Sequence, residues 1–115
     1  MDAGSDCLFC KFVTRELDTD VVAESELSLA FRDIAPQAPT HVLVVPKRHV
    51  ENAAELSAEP AELADVVALA ARVAEQEGVA GGYRLVTNTG RAGGQAVFHM
   101  HLHLLGGRRM TWPPG

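Results

Sequence analysis

The stretch FHMHLHLLGG, Phe98 to Gly107, sets His99, His101 and His103 at every second position, fills the gaps with apolar residues and closes on two glycines. Successive side chains of an extended strand leave on opposite faces. A strand here therefore aligns three imidazoles on one face and Phe98, Met100, Leu102 and Leu104 on the other. A single histidine on a strand is usually an ordinary solvated polar residue. Three in register, flanked by core residues, point to a site instead. Two chemistries remain open: zinc held by an H-x-H pair with a further ligand from elsewhere, or nucleophilic catalysis by imidazole itself.

The segment just ahead of the histidines, NTGRAGGQA from Asn88 to Ala96, is rich in glycine. Such a loop can turn several backbone N–H groups toward one anion, or it can simply close a hairpin. Directly before a row of imidazoles, it points to phosphoryl chemistry.

Working outward, LFCKFVTREL (Leu8–Leu17) carries Leu8, Phe9, Phe12 and Val13 at the offsets of one helix face, which predicts a short helix. VVAES and LSLAFRD follow as two strands joined by a tight turn. In the second, Leu27, Leu29 and Phe31 alternate with Ser28, Ala30 and Arg32, the period of a half-buried strand. IAPQAPT is a proline-punctuated loop, and HVLVVP after it is a β-branched strand placed centrally in the sheet. Between Ser57 and Glu77 the apolar positions Leu63, Val66, Val67, Ala70, Val73 and Ala74 mark one long helix, with Ser57 as its N-cap, Pro60 in its first turn and Gly78 at its end. YRLVTN and FHMHLHLL supply the last strands, for about five in all, with no internal repeat or linker. The order predicts an α+β fold, an antiparallel sheet with one long and one short helix.

The chain has 115 residues and 47% hydrophobic content, enough for one compact core. A net charge of −5 argues against broad binding to nucleic-acid phosphates or anionic membrane surfaces, so an anionic ligand has to be held locally. The N-terminus lacks a secretory pattern, and no apolar run approaches the roughly 18 residues of a membrane span. The expected setting is cytoplasmic. Cys7 and Cys10 form a C-x-x-C, a spacing too short to staple a secreted fold and suited to metal or redox chemistry.

HMHLHLL matches the His-x-His-x-His-apolar-apolar signature of the histidine triad (HIT) superfamily. FRDIAPQAPTHVLVVPKRH, GYRLVTNTG, GGQAVFHMHLHLLGGR and the terminal TWPPG resemble segments of its Hint branch. The resemblance covers nearly the whole chain and implies a single HIT domain over residues 1–115. It also implies a homodimer whose two sheets join into one, and hydrolysis of purine nucleoside phosphoramidates or aminoacyl-adenylates. By the same resemblance His101 attacks the α-phosphorus, His103 binds the phosphoryl oxygens or passes a proton to the leaving amine, and His41 is a fourth active-site histidine. Asp33 takes the ribose hydroxyls, for which a carboxylate acceptor is suited, though an aspartate there also serves as a helix or turn cap. Phe9, Phe12, Phe31, Ile34 and Leu43 wall the base, though each is also what a core contains. Asn88, Gly94, Gln95, Ala96 and Val97 frame the phosphate. Many relatives carry serine or threonine where this chain has Ala96; one missing hydrogen bond costs on the order of 1 kcal/mol, a several-fold rate effect.

Some bacterial and archaeal HIT relatives pair an N-terminal C-x-x-C with two histidines. Carried over, Cys7, Cys10, His49 and His99 would form a closed Cys2His2 set suited to structural zinc. The alternatives are a redox pair and two cysteines buried as small apolar residues. A further reading of the whole is a nucleotide-binding regulatory protein that turns over slowly.

Overall fold

A computed structural model describes residues 6–115 of the chain. Its elements are α1 (Leu8–Val13), β1 (Val21–Glu24), β2 (Ser28–Arg32), β3 (Thr40–Pro46), α2 (Ala53–Leu56), α3 (Pro60–Gln76), β4 (Tyr83–Val86) and β5 (Leu102–Gly106). The strands form one antiparallel sheet in the order β1-β2-β3-β5-β4, so HVLVVP is central as its composition predicts. The fold is α+β, and among the described residues no helix is long and apolar enough to cross a membrane.

β3 is buried along its entire length because both faces of the sheet are covered. Val42 and Val44, with Ala30, Leu102 and Leu104, pack under Val66, Leu69, Ala70, Val73 and Ala74 of α3. Leu43 and Val45, with Leu29 and Phe31, meet Phe9 and Phe12 from α1 on the opposite face. The seventeen residues of α3 cover their face fully, whereas the six of α1 cover only part of theirs. The uncovered part becomes a cavity.

Four local expectations change. The histidine strand is shorter than its alternation suggests: only His103 lies in β5, while His99, Met100 and His101 precede it. Other partners hold that backbone, since the Met100 N–H donates to the Val50 carbonyl (2.7 Å) and the Thr87 hydroxyl donates to the His101 carbonyl (2.9 Å). Met100, Leu102 and Leu104 still face the core, but Phe98 is only half-buried and lies outside it. Ser57 does not start the long helix. It closes α2, whose N-cap Asn52 accepts from the Glu55 N–H (3.0 Å), and Glu59 precedes α3 without a side-chain cap. β2 is buried on both faces: Ala30 lies under α3, and Ser28 donates to Asp65 of α3 (2.6 Å), so its alternation of polar and apolar residues marks two covered faces. α1 ends at Val13, before the predicted Leu17, where Arg15 adopts a positive φ of 67°. Gly78 does end α3 at φ 75°, a conformation free of Cβ strain only for glycine.

Leu56 of α2 is fully buried in the α3-side core. Leu56→Ala should lower unfolding free energy by about 2–5 kcal/mol, read from the guanidinium midpoint at unchanged slope.

Candidate active site

Residues paired across an antiparallel ladder share a face. His103 on β5 pairs with Leu43 on β3, Leu43 with Phe31 on β2, and Phe31 with Val21 on β1. This row crosses four strands on the face that α1 half covers. Above it lies a cavity of about 700 Å3, walled by Phe9, Phe12, Phe31, Leu43 and Val97, with Asp33 and Ile34 on its rim and His101 and His103 in its wall. The aromatic rings hold one another edge-on, Phe9 to Phe31 at 5.3 Å and Phe12 to Phe31 at 5.1 Å between centroids. Phe9 also braces His101, its ring centroid 5.2 Å away and nearly perpendicular. Ile34 is fully exposed at 101%, an apolar side chain outside the core and free to meet a ligand.

Backbone groups choose the tautomer of each imidazole. His101 Nδ1 lies 2.9 Å from the His99 carbonyl, which can only accept, so Nδ1 carries the proton and Nε2 keeps its lone pair. The Gln37 N–H donates to His41 Nδ1 (3.0 Å), which leaves the proton on His41 Nε2. That Nε2–H donates to His103 Nδ1 (2.9 Å), so the His103 proton sits on Nε2. The Asp33 carboxylate lies 3.4 Å from His41 Nε2, and its other oxygen accepts the Ala35 N–H (2.8 Å). Burial pushes His103 down to about 4, helped by the neighbouring His101 and His41 and opposed by Asp33. His41 is lowered too, by burial against the opposing pull of Asp33. Asp33, His41 and His103 lie close enough to surround an ion. With its proton on Nε2, however, His41 is a donor there and not a metal ligand.

The glycine loop is more closed than a phosphate nest. Gly93 N–H donates to Gly90 O (3.1 Å), Gly94 N–H to Arg91 O (2.9 Å) and Gln95 N–H to Gly90 O (3.0 Å). A Cβ on Gly93 would meet Thr89 O at 2.4 Å, so this turn requires glycine. The buried Gln95 side chain accepts from Gly90 N–H (2.9 Å) and donates to Glu51 O (2.6 Å) and Val97 O (3.1 Å). Asn88 Nδ2 donates to Gly93 O (2.7 Å). Asn88, Gly94 and Gln95 thus shape the loop, and Val97 is the loop residue that lines the cavity. Ala96 faces a neighbouring depression of about 580 Å3 with Cys7, His49 and Glu51.

A second polar cluster assembles residues from three distant parts of the chain. Cys7 Sγ lies 3.3 Å from His99 Nδ1, Cys10 Sγ lies 3.4 Å from both His99 Nδ1 and His49 Nδ1, and all four ligand atoms fall within 4.8 Å of one another. Bonds of about 2.3 Å to sulfur and 2.0–2.1 Å to nitrogen in a tetrahedron put neighbouring S and N ligands roughly 3.5 Å apart, so the set fits zinc. The second ring nitrogen of His99 donates to the Pro46 carbonyl (2.8 Å), turning the Nδ1 lone pair toward the cysteines. Burial pushes His99 down to about 4, which keeps it neutral as a ligand must be. The Cys10 N–H donates to Cys7 Sγ (3.3 Å), which ties the two cysteines of the C-x-x-C together.

Sequence reasoning expects a carbonyl near His99 or a second imidazole to fix the His101 tautomer, but it does not single out the individual groups: the His99 and Pro46 carbonyls and the Gln37 N–H. Every residue carries such groups, so no side-chain pattern could have marked them. It also missed Asp18, Thr19 and Asp20, which line the cavity and sit in no periodic pattern.

The family model described as HIT domain matches residues 14–110. The chain is 52% identical over 113 residues to an uncharacterised HIT-like protein of Synechococcus elongatus, covering 97% of this chain and 99% of that one. It is 49% identical over 107 residues to the purine nucleoside phosphoramidase of Escherichia coli K12, covering 91% and 90%. A HIT family hydrolase from Legionella pneumophila superposes with a TM-score of 0.91 at 50% identity, over 96% of this chain and 100% of that one. With His101 and His103 of HMHLH in the wall of the cavity and the match spanning most of its length, the chain belongs to the HIT domain family, in its Hint-like branch.

Proposed function

We propose that the chain is a HIT hydrolase that cleaves the P–N or related bond at the α-phosphate of purine nucleoside phosphoramidates or aminoacyl-adenylates. The observation that carries this is His101: its Nδ1 proton is committed to the His99 carbonyl, and its Nε2 lone pair belongs to an imidazole in the wall of a nucleotide-sized cavity. Support also comes from the E. coli relative named for that activity.

In this reading His101 Nε2 forms a bond to phosphorus as the P–N bond breaks, and the amine leaves with a proton taken from solvent. Water then displaces the nucleotidyl group and releases the nucleoside monophosphate. The Nδ1–H bond to the His99 carbonyl stabilises the positive charge that His101 acquires as the intermediate forms. His103, neutral at pH 7 with its proton on Nε2, donates a hydrogen bond to the phosphoryl oxygens; His41 and Gln37 hold that orientation. Asp33 accepts the ribose hydroxyls, the apolar wall takes the base, and the N–H groups of Ala96 and Val97, which the loop's own turns do not use, meet the phosphate. The loss of a hydroxyl at Ala96 slows turnover without abolishing it.

Cys7, Cys10, His49 and His99 would hold a structural zinc, which when bound would anchor the residue whose carbonyl orients His101. The protein acts as a homodimer joined near β4, an outer strand of the sheet. The C-terminal Thr111–Gly115 reaches toward the partner's site; it is held to β4 by Arg84 Nη2 donating to the Thr111 carbonyl (2.6 Å) and presents Trp112 at 84% exposure.

His101→Ala should abolish adenosine phosphoramidate turnover while AMP still binds, measured by calorimetry; near-normal turnover would remove His101 from the nucleophile's place. Purified protein should hold about one zinc per chain by elemental analysis. A metal-free protein unaffected by substitution of Cys7 and Cys10 would dismiss that site. Stability should rise with pH between about 4 and 6.5: in that window the unfolded chain's imidazole takes up a proton that folded His103 refuses until about 4. The stabilisation is complete above pH 6.5 and lost toward 4. Urea midpoints across this range should therefore vary less for His103→Asn than for the unsubstituted protein.

A further inference from the structure

The sheet sets a ruler for the cavity. The row His103–Leu43–Phe31–Val21 spans three inter-strand steps, about 14 Å at the usual spacing, from the phosphate-binding histidines to the outer strand β1. The segment leading into β1, Asp18-Thr19-Asp20, lines this far end of the same cavity. A nucleotide with its phosphate at His101 and His103 and its ribose at Asp33 directs its base toward the aromatic rings and past them to Asp18 and Asp20.

The polar groups at that end are unusually one-sided. Among the described residues Arg32 is the one Lys or Arg lining the cavity, and its guanidinium is committed to Glu77 through two bonds (2.8 and 2.9 Å). Arg32 Nε also lies 3.7 Å from the Asp20 carboxylate, an ion pair that offsets part of that group's charge. Beyond the aromatic rings, the polar groups left at that end are the carboxylates of Asp18 and Asp20 and the Thr19 hydroxyl. Guanine presents two adjacent donors at its pairing edge, N1–H and the exocyclic N2 amine, which match the two oxygens of one carboxylate. Adenine presents an acceptor at N1, which a carboxylate repels.

We propose that this chain selects guanine over adenine nucleotides and that Asp18 is the residue that selects, with Asp20 contributing less because Arg32 already engages it. The assignment rests on the nucleotide reading above and adds a base specificity to it. Both carboxylates are exposed, so water competes and the preference is modest, on the order of fivefold.

Calorimetric titration of the full chain with GMP, IMP and AMP tests the assignment without requiring turnover, and kcat/KM for guanosine and adenosine phosphoramidates tests it in catalysis. GMP should bind about fivefold tighter than AMP, with IMP between them because it keeps N1–H and lacks the N2 amine. Asp18→Ala should bring the GMP to AMP ratio close to one, and Asp20→Ala should lower it less. Equal binding of GMP and AMP by the unsubstituted protein, or a preference that survives Asp18→Ala, overturns the assignment and leaves the nucleotide reading standing. Failure to bind any of the three nucleotides overturns both.

Discussion

The register of β3 against β5 is the constraint on which the site depends. Leu43 opposite His103 places His41, two residues along β3, beside the same imidazole, and the 2.9 Å bond between the two rings follows from that pairing. A slip of one residue would turn His103 into the core beneath α3 and bring Leu102 or Leu104 into the cavity. What prevents the slip is on the other face. Val42, Val44, Leu102 and Leu104 interlock with α3, so a burial that never touches the cavity fixes where its histidines point.

The polar side of the site is organised by main-chain groups. Three imidazoles each have one ring nitrogen held by a backbone partner: His41 by the Gln37 N–H, His99 by the Pro46 carbonyl and His101 by the His99 carbonyl. A carbonyl demands a proton and an amide supplies one, so of these chemically identical side chains His41 ends with a free N–H, while His99 and His101 each end with a free lone pair. Burial then keeps His41, His99 and His103 neutral where water would let them charge. His99 belongs to both polar clusters, its ring facing the cysteines and its carbonyl facing His101, so the ligand set and the proposed nucleophile share a rigid link.

The cavity exists because two helices of unequal length face a single sheet. Seventeen residues in α3 carry enough apolar side chains to close one face; six in α1 supply Phe9 and Phe12 and stop. The space left over is walled by aromatic rings that the core would otherwise have absorbed. Phe9 and Phe31 therefore serve as core and as pocket wall at once, which is why residue type alone could not separate the two uses.

Much of this was legible in the chain itself. The β-branched run HVLVVP marked the central strand, the 3.6-residue apolar spacing marked α3, and HMHLH marked the histidines, because periodicity is local and survives without knowledge of the partner elements. Resemblance carried the Cys7, Cys10, His49 and His99 set, whose members lie too far apart for spacing to connect them. Tertiary structure alone decided the rest. It cut β5 back to Leu102, moved the helix start from Ser57 to Pro60, folded the loop's amides onto itself, and placed Asp18 and Asp20 at the far end of the cavity. The physical reason is common to all of these. They depend on which distant backbone carbonyl, amide or strand edge lies within about 3 Å, and one-dimensional patterns of side chains do not encode that distance.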